Sequence, residues 1–186
     1  MPKIDLAAAL ADAAFKLLAK KSWSELTLAE IAKAAKLTMA QLQALAPAKP
    51  ALIGSILRKI GSETTARYKP ERGSRSARDR LFDVAMTWFE VLASRKPAVR
   101  SLYDGLKRDP LSLLAARQDI VAAASWLLAL AEADTGPMVP LRALGLAGVM
   151  ARVIPVWLDD GKDMAKTMAR LDSDLGQIDK LLRRRG

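Results

Sequence analysis

Apolar residues recur every three or four positions along nearly the whole chain, the period of helices that each bury one face. Leu6, Leu10, Ala13, Ala14 and Leu17 mark a first helix over about residues 4–21. Leu28, Ile31, Ala32 and Ala35 mark a second at i, i+3, i+4 and i+7, opened by Thr27 with Glu30 three residues on to close a capping box. Thr38 caps a short third helix that stops before Pro47, because the residue ahead of a proline is pushed out of the helical region. A fourth helix starts near Lys49, with Pro50 in its first turn, and runs to about Tyr68. The Pro, Gly, Ser and charge of "KPERGSRSARDR" read as a module boundary. Beyond it the pattern predicts helices over about 76–95, 97–107, 111–133, 139–159 and 161–183, with stops at "RKP", "RDP", "DTGP" and "DDG". No strand or repeat emerges. The expectation is an all-α chain of two modules: residues 1–68, a three-helix unit with its connecting helix, and residues 76–186, a larger helical unit.

Composition narrows the chemistry. The 186 residues include neither cysteine nor histidine, which removes disulfides, thiolate nucleophiles, Cys/His zinc sites and histidine-dependent triads. With no nucleophile–base pair, metal cluster or phosphate loop in the sequence, neither an enzyme nor a bound cofactor is expected. No run reaches 18 uncharged apolar residues and no secretory leader is evident, so a cytoplasmic protein without a membrane span is expected. Thirty Lys/Arg against twenty Asp/Glu give +10, and residues 1–69 alone hold 11 and 5. An excess of that density favours a polyanionic partner, duplex DNA above all.

The second and third helices, with N-caps eleven residues apart, have the spacing of a helix-turn-helix, whose outer helix is free to enter a major groove. An ordinary helical hairpin would show the same pattern. The longer stretch "AAFKLLAKKSWSELTLAEIAKAAKLTMAQLQALAPAKPAL", Ala13 to Leu52, resembles the N-terminal domain of TetR-family transcriptional regulators without a gap. Ala13, Ala14, Leu17, Thr27, Ile31, Ala32, Ala35, Thr38, Leu42, Pro47, Lys49 and Leu52 carry the likeness, with Trp23 at the family's aromatic position. The resemblance implies a TetR-like fold: an N-terminal helix-turn-helix domain, and a C-terminal helical domain that dimerises and binds an effector.

The chain departs from that family where DNA is touched. Lys36 stands at the usual turn glycine, Gln43 at a groove-facing tyrosine, Leu45 at a histidine and Ala46 at an anchoring phenylalanine. The candidate DNA-contacting set is Thr27, Lys36, Thr38, Met39, Gln41, Gln43 and Lys49. The glutamine amides can read adenine edges, Met39 can touch a thymine methyl, and Thr38, Lys36 and Lys49 can hold phosphates.

In the second module, Met86, Trp88, Tyr103, Trp126, Met150 and Trp157 are candidates to line a pocket for an apolar effector or lipid, and equally candidates for plain core. Arg152, between Met150 and Val153, needs a carboxylate partner or a wet cavity and is a candidate to orient an acidic group on the ligand. Ala143, Ala147 and Ala151, near Gly145 and Gly148, would let another helix approach closely, which suits a homodimer through helices 139–159 and 161–183. "PVWLDDGKDMAKTMARLDSDL" is also similar, at Trp157, Leu158, Asp159, Asp160, Thr167, Leu171 and Asp172, to the TetR-fold lipid-binding proteins of ubiquinone biosynthesis. That second likeness implies lipid binding without DNA recognition. Two functions are therefore expected to compete: a dimeric DNA-binding regulator, and an apolar-ligand carrier on the same fold.

Overall fold

A computed structural model describes residues 5–70, 76–136 and 138–183, with side chains as far as Gln177. The "ERGSR" stretch at the expected module boundary lies outside the described residues. The described residues form helices and connecting turns, with no strand among them. The chain divides into two compact units, residues 1–62 with 92–120 and residues 63–91 with 121–186. The divisions fall inside helices, so each unit is built from two separated stretches of the chain.

The first unit is built on α1 (Leu6–Leu18), whose N-terminus is closed by Asp5 accepting from the Ala7 and Ala8 amides, both at 3.1 Å. The α1 helix packs against α2 (Leu28–Ala35) on one side and α6 (Lys96–Arg108) on another. Two partners demand small residues around much of its circumference, and Ala11, Ala13 and Ala14 are all buried beside Leu10 and Leu18. Helix α3 (Met39–Leu45) rests on α2 through Leu42, and α4 (Ala51–Arg67) adds Leu52 and Ile56 to the same core.

Trp23, in the α1–α2 connection, locks this unit together. It is 2% exposed, and its indole N–H donates to Asp109 Oδ2 at 3.4 Å. It also lies directly on Gly105 of α6, where a Cβ would fall 2.2 Å from the Trp23 Cβ. Only glycine permits that approach. Asp109 is in turn the N-cap of α7 (Pro110–Ala115), accepting from the Ser112 amide at 3.0 Å and from its hydroxyl at 2.5 Å.

The second unit holds most of α5 (Ala77–Leu92), the C-terminal part of α8 (Arg117–Leu130), and the packed pair α9 (Val139–Asp159) and α10 (Ala165–Arg183). Its core contains Phe89 set edge-on to Trp88, centroids 5.2 Å apart, and tilted against Trp157 at 5.6 Å. By length and composition α9 could cross a membrane, but Ala143, Leu146, Val149, Met150, Val153 and Trp157 form a buried row, as in the core helix of a globular unit. Two polar links tie α10 down. The buried Thr167 gives its amide and hydroxyl to Asp160 Oδ2, both at 2.7 Å, and Asp174 Oδ2 accepts from Arg152 at 3.1 Å and Arg170 at 3.0 Å.

One expected element differs. The helix foreseen over 111–133 is two helices, because Ala116 (φ −82, ψ −4) ends α7 and α8 begins at Arg117. No glycine or proline marks the break, so periodicity could not find it.

Two outcomes test this packing. Gly105→Ala should lower stability by about 2 kcal/mol, since the added methyl drives α6 off Trp23, a loss measurable by thermal denaturation. Burial alone would raise the Asp174 pKa, but hydrogen bonds from Arg170 and Arg152 and their charge hold it below the usual carboxylate range. A carboxylate lowered on folding stabilises the folded state above its unfolded pKa and loses that contribution as pH falls through the folded value. Asp174→Asn should therefore cost about 2 kcal/mol at neutral pH, less than a fully buried pair because both guanidiniums are half exposed, with the gap to the parent closing below about pH 4.

Candidate nucleic-acid interface

Two capping boxes set the helix-turn-helix. Thr27 Oγ1 accepts from the Glu30 amide at 3.3 Å while Glu30 Oε2 accepts from the Thr27 amide at 3.2 Å. Thr38 Oγ1 accepts from the Gln41 amide at 3.2 Å, and Gln41 Oε1 from the Thr38 amide at 2.9 Å. Each box satisfies two helix N-terminal donors that would otherwise lack partners. Glu30 is also ion-paired with Lys21, and hydrogen bonds from Lys21 and Thr27 hold its carboxyl below the usual range.

The turn between these helices has one left-handed residue, Lys36, at φ 57 and ψ 39. The next residue, Leu37, is buried and returns its amide to Ala32 O at 2.9 Å, which closes the end of α2. Lys36 is left pointing outward at the tip of the turn, exposed beside α3.

Helix α3 buries Leu42, and its C-cap Ala46 is fully enclosed, in place of the larger anchor of the family pattern. Leu45 is half-buried next to it. The outward face presents Met39, Ala40, Gln41, Gln43 and Ala44, with Met39 53% exposed. Gln41 uses its carbonyl oxygen in the capping box, so only its NH2 group is left to donate outward. Gln43 is exposed in the middle of the face.

Lys49 turns inward instead. It is half-buried, donates to Ser24 O at 3.3 Å, and sits 4.8 Å from the centroid of the Trp23 ring. Burial lowers its pKa, an effect that the nearby Asp109 opposes. Sequence reading marked Lys49 as a phosphate contact and missed this cluster, because Asp109 and Gly105 lie more than fifty residues away and carry no local signal.

Charge follows the same division. The unit holding the helix-turn-helix has 15 Lys/Arg and 7 Asp/Glu, net +8; the other has 15 and 13, net +2. The basic excess is thus concentrated in the unit whose exposed helix could meet a polyanion.

The candidate ligand residues separate. Met86, Trp88, Met150 and Trp157 are buried in the second unit. Trp126 is 53% exposed, its indole N–H donating to Thr65 Oγ1 at 3.2 Å. Arg152 faces Asp174, as above. Tyr103 lies on α6 in the first unit, with the Lys107 ammonium 5.4 Å from its ring centroid. No group of three acidic, histidine or cysteine side chains able to hold a metal ion occurs among the described residues.

No family model and no curated protein matches the sequence. Solved structures do resemble it. The chain is similar to a TetR transcriptional regulator from Rhodococcus sp. RHA1, with TM-score 0.65 and 12% identity over 95% of this chain and 96% of that one. It is similar to the TetR transcriptional regulator from Nitrosomonas europaea ATCC 19718, again with TM-score 0.65, at 18% identity over 92% and 96%. At such identities the likeness is one of architecture, and with the helix-turn-helix at its N-terminal end the chain has the all-helical fold of the TetR transcriptional regulators.

Proposed function

We propose that this protein is a DNA-binding transcriptional regulator that acts as a homodimer in the cytoplasm and responds to an apolar effector. The carrying observation is the doubly capped helix-turn-helix with an exposed α3 face in a unit of net charge +8. In this reading Gln43 reads a base edge, the Gln41 NH2 group and Met39 add shorter contacts, and Lys36 holds a phosphate beside the α3 N-terminus. Thr27 and Thr38 serve through the caps they form, and Lys49 through its hold on Ser24 and Trp23.

Dimerisation is assigned to the outward sides of α9 and α10. Leu141 (43%) and Leu144 (59%) are exposed there with Met168 (38%), and a Cβ at Gly148 would meet nothing within 4 Å. An apolar side with room at a glycine suits close helix approach in a two-fold interface. The effector would enter the second unit among Met86, Trp88, Met150 and Trp157 and act by preferring one dimer arrangement over the other.

A second reading has one observation in its favour. Helix α3 has no charged side chain, which suits a carrier of an apolar ligand that no longer needs DNA.

Fluorescence anisotropy with the duplex immediately upstream of the gene, against a random duplex, separates the two. The regulator binds its own duplex more tightly, with a steep salt dependence. Gln43→Ala should weaken that binding about tenfold and leave the random duplex unchanged. Lys36→Gln should weaken both equally and reduce the salt slope by about 1. Lys36→Gly should do the same to DNA while raising stability by about 1 kcal/mol, because it relieves the left-handed lysine. Equal, weak binding to every duplex, with lipid copurifying in native mass spectrometry, would instead establish the carrier.

A further inference from the structure

The geometry points to α7 as a docking element for an anionic lipid surface, an activity separate from DNA binding. This short helix is packed inside out. The residues it buries are Ser112 (8% exposed) and, just past its end, Ala116 (1%), while Leu111, Leu113 and Leu114 are 77%, 44% and 56% exposed. An isolated exposed leucine is ordinary, but three on one six-residue helix whose serine faces inward form an apolar prow. The Asp109 cap holds this orientation, because its carboxylate takes both the amide and the hydroxyl of Ser112.

The surroundings indicate the occupant. Lys107 and Arg108 precede the prow and Arg117 follows it, all exposed; of the neighbouring carboxylates Asp104 is exposed, and Asp119 is half-buried and paired with Arg58. Asp109 is turned inward to Ser112 and Trp23. Exposed leucines flanked along the chain by exposed cations match a bilayer whose anionic headgroups overlie acyl chains. A second copy fits less well: the three leucines expose on the order of 300 Å², against about 800 Å² per partner in a stable dimer.

The chain has no cysteine, so Leu113→Cys carries a single environment-sensitive NBD label. On phosphatidylglycerol–phosphatidylcholine vesicles the label should brighten and shift to the blue, and on phosphatidylcholine alone it should not. The same label at Lys36→Cys reports simple adsorption and should stay unchanged. Leu111→Ser/Leu114→Ser should weaken vesicle partition about tenfold while its affinity for DNA stays that of the parent. A silent label at position 113, or equal vesicle binding by parent and double-serine variant, overturns the proposal. A fall in oligomeric state by light scattering with vesicle binding unchanged overturns it too and assigns the face to a second copy.

Discussion

The contact of Trp23 with Gly105 is the constraint on which the first unit depends. A large indole is set in the connection between α1 and α2, directly on the backbone of α6, at a distance that excludes any Cβ. Around it gather the charges that hold neighbouring segments: Lys49 over the ring, and Asp109 at the indole N–H and at the start of α7. One side chain thus touches the segment before α2, the segment after α3 and the α6–α7 corner. The outer face of α3 can be small and weakly polar because its position is fixed from behind.

That arrangement explains the division of labour among the lysines. Lys49 is half-buried and serves the cluster, so its charge is spent internally. Lys36, held in a left-handed turn, extends from the surface at the mouth of α3. A glycine there would relax the backbone, whereas in the proposed function the lysine offers a cation to a phosphate in return for local strain. In the proposed function the basic excess of the whole unit would supply the long-range attraction that α3 itself lacks.

What the sequence made legible follows from range. The capping boxes at Thr27 and Thr38 act over three residues, and the apolar rows of α1 and α2 over a turn or two, so both could be read directly. Arg152 announced its need for a partner, but Asp174, 22 residues on, became identifiable only once α9 and α10 were seen side by side. Trp23 and Asp109 are 86 residues apart, and no local pattern pairs them. Periodicity runs straight through the α7–α8 break, which neither glycine nor proline marks. Nor does any local pattern show that α7 exposes its leucines and buries Ser112 on a carboxylate cap.

In the proposed function α3, though short of charge, serves as a reading face. The most direct measurement is backbone amide mapping by NMR as the upstream duplex is added to the labelled protein. Shifts concentrated at Lys36 and along Thr38 to Ala44, with the Trp23 indole N–H unmoved, are the expected result. Shifts scattered over the basic surface, or absent from α3 at saturating duplex, would contradict it.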